Sequence, residues 1–318
     1  MMQLLVFKEN LKRFYGKYSI YIVPILKFVV GAVAFFLINS NIGFMTRLNH
    51  PLIPVVMGLV ASIVPYGVTA FLAGCFVVIH VSRVSLEVAL ILCMLILAVM
   101  MLYYGFRPGD GYLLLLTPML FFFKIPYVIP LLVGLSGGLM SIVPVSCGVC
   151  VYYMMMYLKQ NAGVLAGSSV SELAARFIQV AKSVFGNELM WVMAAAFAAA
   201  IAIVYIIRRL PVDYSWTIAT IAGVITELIV IFIGDFNYNL PVSLLSMILG
   251  ILVSVIIALI YQFFVFAVDY SRTEYLQYED DDYHYYVKAV PKIAVSAPDV
   301  KIHRIYSRKT GKSDKNHG

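Results

Sequence analysis

The sequence predicts an all-α polytopic membrane protein with about eight transmembrane helices, several broken by proline or glycine, and a short cytosolic C-terminal tail. Three observations carry this expectation. First, 62% of the residues are hydrophobic and 12% are charged, whereas a soluble domain carries about 25% charge. Second, the mean hydropathy is +0.93, and apolar runs of the roughly 20 residues that a bilayer-spanning helix needs recur along the chain. Third, the cations gather in loops and at the ends, where they set membrane topology. The net charge of +7 is therefore no argument for nucleic-acid binding.

Taken in order, residues 1–17 mix Leu4, Leu5, Phe7, Leu11 and Phe14 with Lys8, Lys12 and Arg13. That mixture suits an amphipathic helix on the cytoplasmic leaflet rather than a cleaved signal peptide. Residues 18–158 form a transmembrane region with expected spans at 18–38, 52–80, 84–106, 112–129 and 130–157. The sequence RPGDG at 107–111 reads as a tight turn braced by Arg107 and Asp110. Segment 159–189 breaks the apolar pattern and is expected outside. Ser169 with Glu172 makes a capping box there, and Leu173, Phe177, Val180 and Val184 line one helical face. An amphipathic helix on the outer surface is the first reading, and a lid over a substrate vestibule is the alternative. Residues 190–268 supply three further spans, near 190–207, 214–234 and 241–268. The tail is 269–318.

Lys8, Lys12, Arg13 and Lys17, then Arg208 and Arg209, then the basic tail place both termini in the cytoplasm of a bacterial cell. An even number of spans follows. The prolines leave a rival in which the two broken runs are re-entrant hairpins, so that six to nine crossings are admissible.

An internal repeat links IPVVMGLVASIVPYGV from Ile53 with IPLLVGLSGGLMSIVPVSCGV from Ile129, segments 53–68 and 129–149. Both copies share IPxxxGL and then SIVP, with three residues inserted between the blocks in the second. Irregular backbone at membrane depth is tolerated only where protein buries it or water reaches it. Paired Gly/Pro-interrupted segments are a sequence pointer to a transporter's central site. The expected substrate path therefore runs along Gly58, Pro65, Gly134, Ser141, Pro144 and Ser146. Plain helix kinks and close packing points are the competing reading.

Two charges fall well inside spans, Lys27 and Glu227. Intramembrane charges are costly and usually paired or functional, so an ion pair between them is expected. It acts as a structural staple, with proton coupling by Glu227 as the functional alternative. Lys124 is expected to snorkel to the cytoplasmic surface. Cys147 and Cys150 form a CxxC without a completing ligand set and read as helix-packing residues. No Walker A, GxSxG or HExxH sequence occurs, so an enzyme, a metal and any cofactor are not expected.

The tail opens with QYEDDDYHYYVKAVPK, Gln277 to Lys292. Four successive acids do not converge on one cation from a strand or a helix. The stretch YHYYVKAV is rich in strand formers, and KIAVSA would supply a second strand. Tyr283, Tyr285, Tyr286 and Val287 are the expected docking residues for a cytosolic protein or a sister subunit.

The tail sequence YLQYEDDDYHYYVKAVPKI, with DGYLLLLTPMLFFFKIPYVIPLLVGL, resembles an uncharacterised family of multi-span proteins from anaerobic Firmicutes, some labelled ABC-transporter permeases. The breaks in IPVVMGLVASIVPYGV are also similar to those of AI-2E exporter-like proteins. These resemblances imply an exporter-like membrane protein. The leading expectation is a permease with a midplane site where the broken segments meet, with the lipid bilayer and a homo-oligomer as partners. The alternative is a non-transporting anchor that recruits partners through its tail.

Overall fold

A computed structural model describes residues 2–167, 173–266, 268 and 273–292. The capping box read at Ser169 and Glu172, and the KIAVSA strand beyond Lys292, lie outside the described residues. Eleven helices and one hairpin are present among those described: α1 (Met2–Ile42), α2 (Leu52–Ile63), α3 (Tyr66–Ser82), α4 (Leu86–Phe106), α5 (Gly111–Phe122), α6 (Val128–Ser136), α7 (Ile142–Gly167), α8 (Leu173–Phe185), α9 (Glu188–Ile207), α10 (Ser215–Tyr238), α11 (Leu244–Val265), β1 (Glu274–Glu279) and β2 (His284–Ala289).

Six helices among the described residues are long and apolar enough to cross a membrane: α1, α4, α7, α9, α10 and α11. The others in the apolar region are short. Helices α2, α3, α5 and α6 have 12, 17, 12 and 9 residues. At about 1.5 Å per residue they extend roughly 14–26 Å, less than a hydrocarbon layer of about 30 Å.

The short helices reverse in pairs. Lys27 in α1 donates to the Val64 carbonyl at the end of α2. At the other end of α1, the Met45 amide donates to His80 Nδ1 of α3, and His80 Nε2 then donates to Asn39 Oδ1. Both open ends of the α2–α3 pair therefore sit beside the C-terminal end of α1. The second pair is turned the other way. Gly111, which starts α5, abuts Gly67 and Tyr103, while Arg208 at the end of α9 reaches the carbonyls that close α6. The α5–α6 tip instead meets the first turns of α11, where Gly250 lies against Lys124 and Tyr127.

The count of eight is not confirmed: among the described residues six helices are long and apolar enough to cross, and the four short ones pair as in the rival arrangement of two hairpins. Sequence 52–80 is not one helix, because Val64 and Pro65 are both extended, with ψ of 160° and 151°. Two consecutive extended residues reverse the chain, whereas a proline following a helical residue would only kink it. The expected spans 112–129 and 130–157 likewise divide at the 123–127 tip and at Gly137–Gly138, again a pair of extended residues.

Both ends of the chain's described part share one face. Lys8 donates to the Phe263 carbonyl at the end of α11, and Lys288 pairs with Asp213 of the α9–α10 loop at 2.8 Å. We call this the tail face. Helix α1 runs from it through a kink at Tyr18, where the sequence placed the boundary of its amphipathic segment. Helix α8 packs on α4 and α7, burying Val180 and Val184 but leaving Phe177 exposed.

Close helix contacts use small residues, as expected where lipid supplies no hydrophobic drive. Gly31 and Gly58 let α1 and α2 touch. Val204 of α9 is wedged between Gly134 of α6 and Gly223 of α10, where an added Cβ would lie 2.5 and 2.4 Å from its side chain. Overpacking such a contact costs about 1–3 kcal/mol. Gly223→Val should therefore lower the melting temperature of the detergent-solubilised protein. Gly105→Ala, a site with no atom within 4 Å of the new carbon, should not. Equal melting of Gly223→Val and the parent would contradict this packing.

Candidate functional site: a tyrosine-walled vestibule and a polar joint

The two Gly/Pro-interrupted segments, 53–68 and 129–149, meet at one place, the turn 107–111. Arg107 Nε pairs with Asp110 Oδ2 at 3.2 Å, and the Tyr103 hydroxyl donates to the Pro108 carbonyl. Asp110 Oδ2 accepts from the buried Ser141 hydroxyl at 2.5 Å. That same hydroxyl accepts from the Gly138 amide at the second break. On the other side Gly67, two residues past Pro65, packs against Tyr103 and Gly111. Tyr66 joins edge-on to Tyr112 with ring centroids 6.2 Å apart, and Lys27 Nζ sits 5.7 Å from the Tyr66 ring centre. Arg208 closes the arrangement by donating to the Leu135 and Gly137 carbonyls, the latter at 2.7 Å.

This joint reorders the expected site. Pro65 and Ser141 belong to it. Pro144 does not make a break at all: it lies in the first turn of α7, where a missing N–H costs no helical bond. The second break is made by Gly137–Gly138, in the longer spacer between the shared motifs. Gly58 and Gly134 are contact points for α1 and α9, and Ser146 is half-buried on α7. None of the six expected path residues lines the large cavity described next.

That cavity, about 570 Å³, lies at the α5–α6 tip, toward the face opposite the tail. Tyr127, which caps the start of α6, Tyr152, Tyr153 and Tyr157 of α7 and Tyr238 of α10 form its walls, with Lys124, Gln160, Glu188, Asn239 and Ser246 among the polar groups. Phe121 stacks on Tyr152 at 4.5 Å between ring centroids and contacts Tyr153 and Phe197 edge-on or tilted. Helices α5, α6, α7, α9, α10 and α11 or their ends all contribute, so no single stretch of sequence announced it.

Lys124 sits at the mouth in the left-handed region, with φ 61°. Its amide donates to the Phe121 carbonyl and that of Ile125 to the Leu120 carbonyl, both at 3.0 Å. This is a Schellman ending, in which the left-handed position normally carries glycine. A side chain there costs about 1–2 kcal/mol. Lys124 was expected at the cytoplasmic surface; in the structure α5 carries it away from the tail face.

Glu227 is fully buried on α10, on the stripe with Gly223, Ile231 and Gly234. Gly223 touches Leu131 of α6, one helical turn from Tyr127. Neither Glu227 carboxyl oxygen has a hydrogen-bond partner among the described residues. The expected Lys27–Glu227 ion pair is therefore not formed. Lys27 serves the Val64 carbonyl instead, because a broken helix offers a nearer acceptor than a carboxylate on a distant helix. An unpaired carboxylate in an apolar interior is very costly, which sets Glu227 apart from the other buried polar groups of this helix.

In the tail, the acidic block is a hairpin turn. Asp280 Oδ1 accepts from the Asp282 and Tyr283 amides, and Oδ2 accepts from the Tyr285 hydroxyl at 2.8 Å. β2 pairs antiparallel with β1, which ends at Glu279. Tyr278 and Tyr285 face each other in register and stack at 4.9 Å. Of the expected docking residues, Tyr283 lies in the turn, while Tyr285, Tyr286 and Val287 lie on β2; Tyr283, Tyr286 and Val287 are exposed. No group of three metal-ligating side chains occurs among the described residues, and the four cysteines are free.

The Tyr285 hydroxyl, followed by the two amides, holds the Asp280 carboxyl below its ordinary value. A depressed folded value means that its contribution is complete above the ordinary carboxylate range and vanishes as pH falls through the depressed value. Asp280→Asn should therefore raise amide hydrogen exchange across residues 280–285 several-fold at pH 7, and acidification of the parent protein should approach the same state. Unchanged exchange in the variant would show that the turn does not rely on this carboxylate.

Comparison with models of known protein families, with curated proteins and with solved structures finds no match for this chain.

Proposed function

We propose that this chain is a permease, exporter-like in its broken helices, that handles its cargo in the tyrosine-walled vestibule. Both termini lie in the cytoplasm of a bacterial cell in this reading, so the vestibule opens outward. The observation that carries it is the 570 Å³ cavity at the tip of an internal hairpin, and α10, which also ends at this cavity, carries a buried carboxyl group without a partner among the described residues. Membrane-depth tips of broken helices are where transporters hold cargo and coupling ions. Toward the tail face the passage is closed by the Arg107–Asp110–Ser141 joint and by Arg208. Glu227 is the group that takes up a proton or cation when Tyr127 moves aside. Fully buried carboxyl groups in membrane helices mark such relays.

A second reading keeps the chain as an anchor that recruits a cytosolic protein or sister subunit. Its specific support is the tail hairpin, whose Tyr275, Tyr278, Tyr283 and Tyr286 are exposed and which Lys288 pins to Asp213.

The two readings part on access by water. In a cysteine-free background, Ser246→Cys should react with a membrane-impermeant maleimide added on the face opposite the tail. Ser141→Cys should be protected from both faces. Protection of Ser246→Cys from both faces would remove the vestibule and leave the anchor. Rapid labelling of Ser141→Cys from the tail face would show that the joint does not close the passage.

A further inference from the structure

A second cleft of about 410 Å³ adjoins the vestibule. Phe123, Ile125, Leu245, Leu249 and Val253 wall it, with Gly250 at its floor. It shares Lys124, Ser243 and Ser246 with the vestibule, so the two clefts meet at the Lys124 side chain. Phe123, Leu245, Leu249 and Val253 are all exposed, on the outer side of the tip and α11, where lipid would lie.

Three features converge on one ligand chemistry. The cleft is apolar along its length and polar only where it enters the vestibule. At that point stands Lys124, exposed and without an ion-pair partner among the described residues. Its backbone is held in a left-handed Schellman position that glycine would occupy at lower cost. A lysine at a position where glycine fits better points to a use for the ammonium group itself. Five tyrosine hydroxyls, Asn239 and two serines beyond it add hydrogen-bond donors.

We propose that the Lys124 cleft is a lateral entry site for an anionic amphiphile of the bilayer. Its acyl chain lies along Leu245, Leu249 and Val253, and its phosphate or carboxylate head pairs with Lys124 at the vestibule mouth. The inference rests on the vestibule reading and supplies its ligand class. A strongly hydrated free anion would not use the apolar walls, and a cationic amphiphile would meet Lys124 as a like charge.

The test is thermal unfolding of the full-length protein in a neutral maltoside detergent, titrated with dodecyl phosphate. The melting temperature should rise saturably, by several degrees, in the parent and in Lys124→Arg. In Lys124→Gly the rise should be lost, although that variant alone should melt no lower than the parent. Leu249→Trp, which narrows the cleft at a lipid-facing position, should weaken the effect several-fold. Inorganic phosphate and dodecyltrimethylammonium should give no comparable rise. Equal stabilisation of Lys124→Gly by dodecyl phosphate would overturn the proposal, as would an equal response to inorganic phosphate or to the cationic amphiphile. Ser246→Cys labelling is read independently, so a dry vestibule and a missing amphiphile site give different results.

Discussion

Every helix that ends inside an apolar layer leaves carbonyl and amide groups that only the protein can satisfy. The rest of this structure depends on how that demand is met at two breaks. At Val64–Pro65 the Lys27 ammonium reaches the free carbonyl, and the Pro65 carbonyl accepts the Thr69 amide. At Gly137–Gly138 the Arg208 guanidinium takes two carbonyls, and Ser141, itself held by Asp110, takes the Gly138 amide. A hydrogen bond to a charged group contributes about 1.5–3 kcal/mol, a large share of the roughly 5–15 kcal/mol that separates a folded domain from its unfolded state. With both breaks satisfied, four short helices can turn back, and the α5–α6 tip is carried up to the vestibule.

The joint and the vestibule are complementary parts of one arrangement. The first gathers charged side chains around backbone groups. The second gathers tyrosines around a space large enough for a solute. Helix α6 connects them directly: Leu135 at its end is held by Arg208, and Tyr127 at its start forms the vestibule wall. Glu227 lies alongside that helix on α10.

Much of this was legible in the sequence, for physical reasons. Six long apolar runs, the turn at 107–111 and the helix over 173–185 follow from composition and periodicity, which tertiary contacts seldom override at that length. Pro65 was rightly read as a break, and YHYYVKAV as a strand. Reversal was not legible, because a proline in an apolar run is compatible with a kink or a return, and only the ψ values of Val64 and Pro65 decide. The Lys27–Glu227 expectation failed because it sought a charge to match a charge, when a break next door offered a carbonyl. Lys124 went to the wrong face once its helix was counted as a full span. The vestibule drew its tyrosines from α6, α7 and α10, and no local pattern joins them. The glycine pair that forms the second break sat between the shared IPxxxGL and SIVP motifs, in residues that looked like an insertion.

The central claim is that the two broken runs return to the face they came from. Single cysteines at Arg47, Arg83 and Gly109, labelled with an impermeant maleimide from each face in turn, test it most directly. The account predicts that positions 47 and 83 react together from the face opposite the tail, and that position 109 reacts from the tail face or from neither. Labelling of 83 from the tail face, with 109 reacting alongside 47, would contradict it and restore eight full spans.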